Sequence, residues 1–108
     1  MQTEIAALTV QAQKDGKSVF WCDMQGMLNP TSLRERGVNL DDVLVSQPKD
    51  IPGAVEVLEP LARSLSRGDL ILVVLPERGS HNWMQDIYHI ADEKGINIID
   101  VSHTVFTE

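Results

Sequence analysis

The chain has 108 residues, a formal net charge of −7 and a pI near 4.8, which allow one domain and work against tight non-specific binding to a phosphate backbone. Hydrophobic residues make up 43% and charged residues 23%, proportions of a chain that folds and not of a disordered one. Cys22 is the single cysteine, so an internal disulfide and a cysteine-clustered metal site are excluded, and a reducing cytoplasm fits.

In chain order, Ile5, Ala6, Leu8 and Ala12 recur at near-helical spacing from Thr3 to Lys14, and Asp15-Gly16 supplies a stop. This opening stretch is polar and amphipathic, and no apolar run approaches the roughly 20 residues of a membrane span, so neither a signal peptide nor a membrane anchor is expected. Ser18 to Cys22 is a run of strand formers ending at Asp23, consistent with a strand covered on both faces. A loop follows through Gly26 and Asn29-Pro30, then a short helix from Pro30 to Arg36 ended by Gly37, then a strand Val43-Leu44-Val45 closed by Gln47-Pro48.

Between Pro52 and Leu65 the apolar residues make a helical stripe, with a kink expected at Pro60 because proline removes an amide donor and crowds the preceding turn. Leu70 to Leu75 is the most apolar run and suits a central parallel strand. Ser80 or Asn82 is placed to cap a helix running to about Lys94, with Trp83, Ile87, Ile90 and Ala91 inward and Gly95 as its stop, and Ile96 to Val101 is the last strand. Helices alternate with strands through short connections, which predicts an α/β fold: three layers, with a mostly parallel sheet of about four strands flanked by helices, in a single domain over residues 1–108.

Several of these stretches resemble one known family. Thr3 to Leu8 through Gln13-Lys14-Asp15-Gly16-Lys17, followed by Val19 to Asp23, looks like the helix after the RecA phosphate loop and the next strand. Asp23-Met24-Gln25-Gly26-Met27-Leu28-Asn29-Pro30, then Arg36 to Asp41, Leu44 to Pro48, Ala54 to Leu58 and Leu61 to Ser64 extend the similarity to RecA. The likeness is specific from about residue 3 to 75 and only architectural beyond it. It implies a truncated, degenerate RecA-like core.

The departures from the family pattern point away from catalysis. The phosphate loop is expected to be missing: Gly16-Lys17-Ser18 has its last three letters but follows a helix and precedes a strand, the reverse of what phosphate binding requires. Gln25 stands where the resemblance places the glutamate that activates water, and an amide is no base. Leu75 stands where an acidic residue supports magnesium. The segment after the central strand, about Pro76 to Asn82, is short, and no second DNA-binding loop is expected before Glu108. The chain is therefore expected to be no enzyme, to need no cofactor and to bind no nucleic acid directly.

Other constellations are weaker. His89 and Asp86 share a helix face, but two ligands are too few for a metal, and His81 and His103 add no pattern. Ser80-His81 with Asp86 or Asp100 lacks a nucleophile elbow. Met24, Gln25, Met27 and Leu28 lie at the C-terminal end of a strand, where open α/β sheets bind, and would form an adaptable apolar patch unless they fold over the sheet. Trp83 is a candidate interface anchor, and Arg34, Arg36 and Arg78 are candidate interface cations.

The expected function is a non-catalytic protein-binding module, a regulator or accessory factor of SOS-type recombination and repair that contacts RecA or a related protein. Two alternatives stand beside it. One is a SulA-like cell-division inhibitor that binds the polymer-forming GTPase FtsZ. The other is a nucleotide-binding subunit whose site a partner completes. A homodimer formed through sheet edges or through the loop around Met27 is also compatible with the sequence.

Overall fold

The computed structural model of the chain describes residues 2–76 and 82–101. Its elements are α1 (Gln2–Lys14), β1 (Val19–Asp23), α2 (Pro30–Glu35), β2 (Val43–Ser46), α3 (Ile51–Ser64), β3 (Leu70–Val74), α4 (Gln85–Lys94) and β4 (Asn97–Val101). The four strands are all parallel, in the order β2-β1-β3-β4, with Trp21 level with Val45 on one side and with Leu72 on the other. The α/β alternation read from the sequence is the architecture observed.

β1 and β3 are the inner strands and are buried at every position, as two-sided burial of a parallel strand demands. Their side chains divide into two cores. Phe20, Cys22, Ile71 and Val73 meet Ala54, Leu58 and Ala62 of α3 and Ile87 and Ala91 of α4. Val19, Trp21, Leu70, Leu72 and Val74 meet Ile5 and Ala6 of α1 and Leu33 of α2 on the opposite face.

α3 shows why its segment is helical. Asp50 caps it by accepting from the Gly53 amide at 2.8 Å, and Ala54, Leu58 and Ala62 recur every fourth residue on the buried stripe. The helix runs as one element through Pro60, although the ring leaves the Glu56 carbonyl without its helical donor. In α1 the inward face centres on Ile5, Ala6 and Thr9, which turns Leu8 outward, against the stripe expected from the sequence. Thr9 is tolerated at a fully buried position because its hydroxyl donates to the Ile5 carbonyl at 2.9 Å and accepts from the Trp21 indole at 3.3 Å.

α4 begins later than the sequence suggested. Residues Asn82–Met84 form a 3-10 turn, and Met84, with no side-chain cap bond, is the N-cap, so Asn82 is not the capping residue; Ser80 lies outside the described residues. Burial explains the shift, since Met84 is completely enclosed against α3 and seats the turn before the helix starts. At the other end Gly95 takes φ 73°, the left-handed C-cap that the sequence marks.

Asp69 ties the loops at the N-terminal ends of the strands. Its buried carboxylate accepts from the Ser18 amide at 2.9 Å and the Ser66 amide at 2.8 Å, pinning the entries to β1 and β3 side by side. Among the described residues no helix is long and apolar enough to cross a membrane.

Candidate functional site

Two regions attract a functional reading: the loop over the C-terminal ends of the inner strands, and the outer edge of β2. The loop is organised by Asp23, which is 1% exposed. One carboxylate oxygen accepts from the Gln25 amide at 3.3 Å and the Met27 amide at 3.0 Å, and the other accepts from the Leu28 amide at 2.9 Å. A buried carboxylate is tolerable only with such donors, and three backbone amides converging on it wrap the loop back over the strand end. The Met24 amide adds a bond to the Val74 carbonyl at 3.1 Å, and Asn29 caps α2 by accepting from the Ser32 amide at 3.1 Å.

This wrapping decides the fate of the expected apolar patch. Leu28 is buried and belongs to the core beneath α2, so it is corrected from a surface contact to a packing residue. Met27 is half-buried against the same core and Met24 against the opposite one. Gln25 is half-buried, and its side-chain amide donates to the Leu75 carbonyl, linking the loop after β1 to the end of β3. Leu75 is itself buried in the α3 and α4 core. The two positions singled out by the resemblance are thus brought together, bonded to each other through an amide and a backbone carbonyl.

Cys22 precedes Asp23 in the strand, and burial, followed by the neighbouring Asp23 charge, pushes its thiol up to about 11. At neutral pH it is a protonated packing group with negligible thiolate.

The remaining predicted residues lie apart from this loop. Arg36 caps the end of α2 and reaches to α1, donating to the Thr3 hydroxyl at 3.1 Å, to the Ser32 carbonyl at 3.1 Å and to the Ser32 hydroxyl. Arg34 is exposed on the last turn of α2. Trp83 is half-buried against the α3 and α4 core, and its indole nitrogen is buried without a hydrogen-bond partner among the described residues. Arg78, His81 and His103 lie outside the described residues, as does the Ser80-His81 pair. His89 is exposed and its Nε2 lies 3.0 Å from Glu93. Among the described residues no group of three metal-ligating side chains assembles.

The Gly16-Lys17-Ser18 turn sits between α1 and β1, at the opposite end of the sheet from Gln25. Lys17 donates to the Arg67 carbonyl at 3.2 Å and the Ser18 amide is taken by Asp69, so both serve to join loops.

The second region was not singled out from the sequence. β2 pairs with β1 alone and forms one margin of the described sheet. Leu44 is 65% and Val45 55% exposed, the two most exposed large apolar residues among those described, while Val43 is buried. The signals that mark it as an edge were present: a strand of only four residues, bracketed by Asp41-Asp42 and Pro48-Lys49.

Fold and site together define an all-parallel, three-layer α/β domain whose strand-end loop is closed by its own aspartate and whose margin is apolar. The chain belongs to the RecA N-terminal domain family, whose model matches residues 2–76. It is similar to Protein RecA of Deinococcus radiodurans, 43% identical over 58 residues that cover 54% of this chain and 16% of that protein. It is likewise similar to Protein RecA of a Methylobacterium species, 41% identical over 64 residues covering 58% of this chain and 18% of that protein. Protein RecA of Blastochloris viridis is 42% identical over 64 residues, with the same coverage. The matched stretch spans less than a fifth of the length of these curated relatives.

Proposed function

We propose that this chain is a non-catalytic RecA-like binding module that acts in recombination and DNA repair by docking on RecA or a related polymer-forming protein. The observation that carries the reading is the margin of β2, where Leu44 and Val45 are exposed beside strand backbone that no described strand pairs. A partner adding a strand there gains main-chain hydrogen bonds from the edge and apolar burial on both faces, since successive side chains alternate. Arg34, on the exposed end of α2, adds a cation for a carboxylate on the partner.

The absence of catalysis in this proposal is supported by the state of Gln25 and Leu75. Gln25 donates to a backbone carbonyl, so it is neither a base nor free to turn toward a water, and the buried Leu75 side chain offers magnesium nothing. The acidic net charge of −7 supports a protein partner over a nucleic acid.

The test is a titration of purified RecA with the chain, reading filament assembly and ATPase rate. Both change with the wild-type chain, and Leu44→Glu raises the concentration needed about tenfold, a loss of roughly 1.4 kcal/mol. Calorimetry with Mg-ATP gives no binding heat. If RecA is unaffected while FtsZ is retained on the immobilised chain, the division-inhibitor reading replaces this one.

A further inference from the structure

We infer that, in the absence of a partner, a second copy of the chain closes the β2 margin, the two β2 strands pairing antiparallel about a two-fold axis through Val45, and that a partner docks by displacing that copy. The inference rests on the reading of β2 as the docking edge and supplies its regulation; the pairing itself is argued from the edge.

The backbone groups that β2 turns outward form a set that a second copy completes. The Leu70 amide donates to the Ser18 carbonyl at 2.9 Å and the Met24 amide to the Val74 carbonyl at 3.1 Å, so every second residue of β1 counted from Ser18 bonds to β3, which leaves Val19 and Trp21 to bond to β2. Val19 is level with Val43, so Leu44 and Ser46 turn their backbone groups to β1, while Val43, Val45 and Gln47 turn theirs away from the sheet. The Val43 amide is already taken by the Leu40 carbonyl. The run left to a partner goes from the Val43 carbonyl through both groups of Val45 to the Gln47 amide. A mate with Val45 opposite Val45 exchanges both bonds of that pair and receives the Gln47 amide on its Val43 carbonyl, twice by symmetry. Moving the axis to Leu44 aims the Val45 carbonyl at the mate's Val43 amide, which Leu40 holds, and moving it to Ser46 sets Asp42 level with Asp50 of the mate.

Side chains and charges agree with the register. Leu44 and Val45, 65% and 55% exposed, lie on opposite faces of the strand; the two-fold packs Val45 against its own copy and Leu44 against Ser46 of the mate, with the second Leu44 on the diagonal. Exposed charges stand at both ends of this edge, Asp41 and Asp42 before it, Lys49 and Asp50 after it. Asp42 accepts from the Asn39 side-chain amide at 2.9 Å and Asp50 caps α3. Asp41 and Lys49 are the uncommitted pair, and neither enters an ion pair among the described residues. They lie equally far before and after Val45, so the two-fold sets each level with the other on the mate, at both ends of the interface. A parallel copy sets the two aspartates beside their own duplicates instead.

The test is sedimentation equilibrium on the full chain, expected to give a species of twice the 12.0 kDa chain mass that dissociates on dilution. Asp41→Lys and Lys49→Asp, both outside the strand, each raise the half-dissociation concentration about fivefold by turning two attractions into repulsions, and the double variant returns it to the wild-type value. Val45→Pro removes an outward amide and no bond to β1, and raises it about tenfold; if circular dichroism shows this variant unfolded, the charge pair decides. RecA added to the dimer draws the chain off in single copies. A chain that is monomeric at every concentration overturns the inference, as do single charge variants that the double variant fails to restore, or a dimer that RecA binds without splitting. A monomer whose RecA binding Leu44→Glu still weakens leaves the docking role standing without this inference. A dimer with the charge-swap signature beside RecA whose filament assembly and ATPase rate do not respond sinks the RecA docking role and upholds the pairing.

Discussion

The strand-end loop and the β2 margin differ in where their unpaired polarity goes. Over the strand ends, Asp23 gathers three backbone amides and Gln25 reaches the Leu75 carbonyl, so the groups that the family resemblance marks for chemistry are spent on closing the loop. At β2 the strand's outer backbone is left unmatched among the described strands and two large apolar side chains face solvent. A fold can thus retain a family's local sequence while its strand-end loop closes on itself and its edge stays open among the described strands, because a buried carboxylate must be satisfied internally and an edge strand need not be.

The largest effect expected from breaking this contrast is at Asp23. Asp23→Ala strands the amides of Gln25, Met27 and Leu28 and frees the loop that covers the strand ends, costing about 3 kcal/mol or more in a urea denaturation series. Leu44→Glu makes the opposite case: a stability change within about 0.5 kcal/mol in the same series, as befits an exposed side chain, together with the tenfold loss in partner titration. If Leu44→Glu proved as destabilising as Asp23→Ala, the β2 margin would be a covered surface and the contrast would collapse.

Gln25→Glu sharpens the closed side. The carboxylate cannot donate to the Leu75 carbonyl, so stability falls by about 1 kcal/mol and no heat appears on adding Mg-ATP. A variant that gained Mg-ATP binding would show that a single amide had been withholding a working site.

The smallest effect is expected at the β4 end of α4. The Tyr88 phenol is held above its free value by burial first, then by its hydrogen bond to Asp100 and by that residue's charge. A group whose value is raised on folding contributes stability that is complete below its unfolded value, about 10 for tyrosine, and is lost as pH rises through the folded value. The denaturation midpoint therefore declines above about pH 10 in the wild type and declines less steeply in Tyr88→Phe.

Much of the architecture was legible because it depends on local pattern. Ser18 to Cys22 read as a covered strand and Leu70 to Leu75 as a central one since both faces of an inner parallel strand must be apolar, and Gly95 read as a helix stop since its backbone turns left-handed. The site was less legible. Leu28 in the sequence is one more apolar loop residue, and only the convergence of three amides on Asp23 turns it inward. Leu8 fits a plausible helical stripe, and only the docking of α1 over Trp21, with Thr9 as the bonded neighbour, turns it out. Asn82 is a good capping residue by type, yet the enclosure of Met84 sets the start of α4 at Gln85.

By itself the sequence determined the succession of helices and strands, the parallel α/β class, the RecA likeness over its first two thirds and the amide at Gln25, all of which follow from residue type and short-range spacing. Tertiary structure alone decided which strands are margins, which apolar residues remain exposed and what Asp23 and Gln25 bond to. Those outcomes depend on strand order and on groups far apart in the chain, such as Gln25 and Leu75, that no local period encodes.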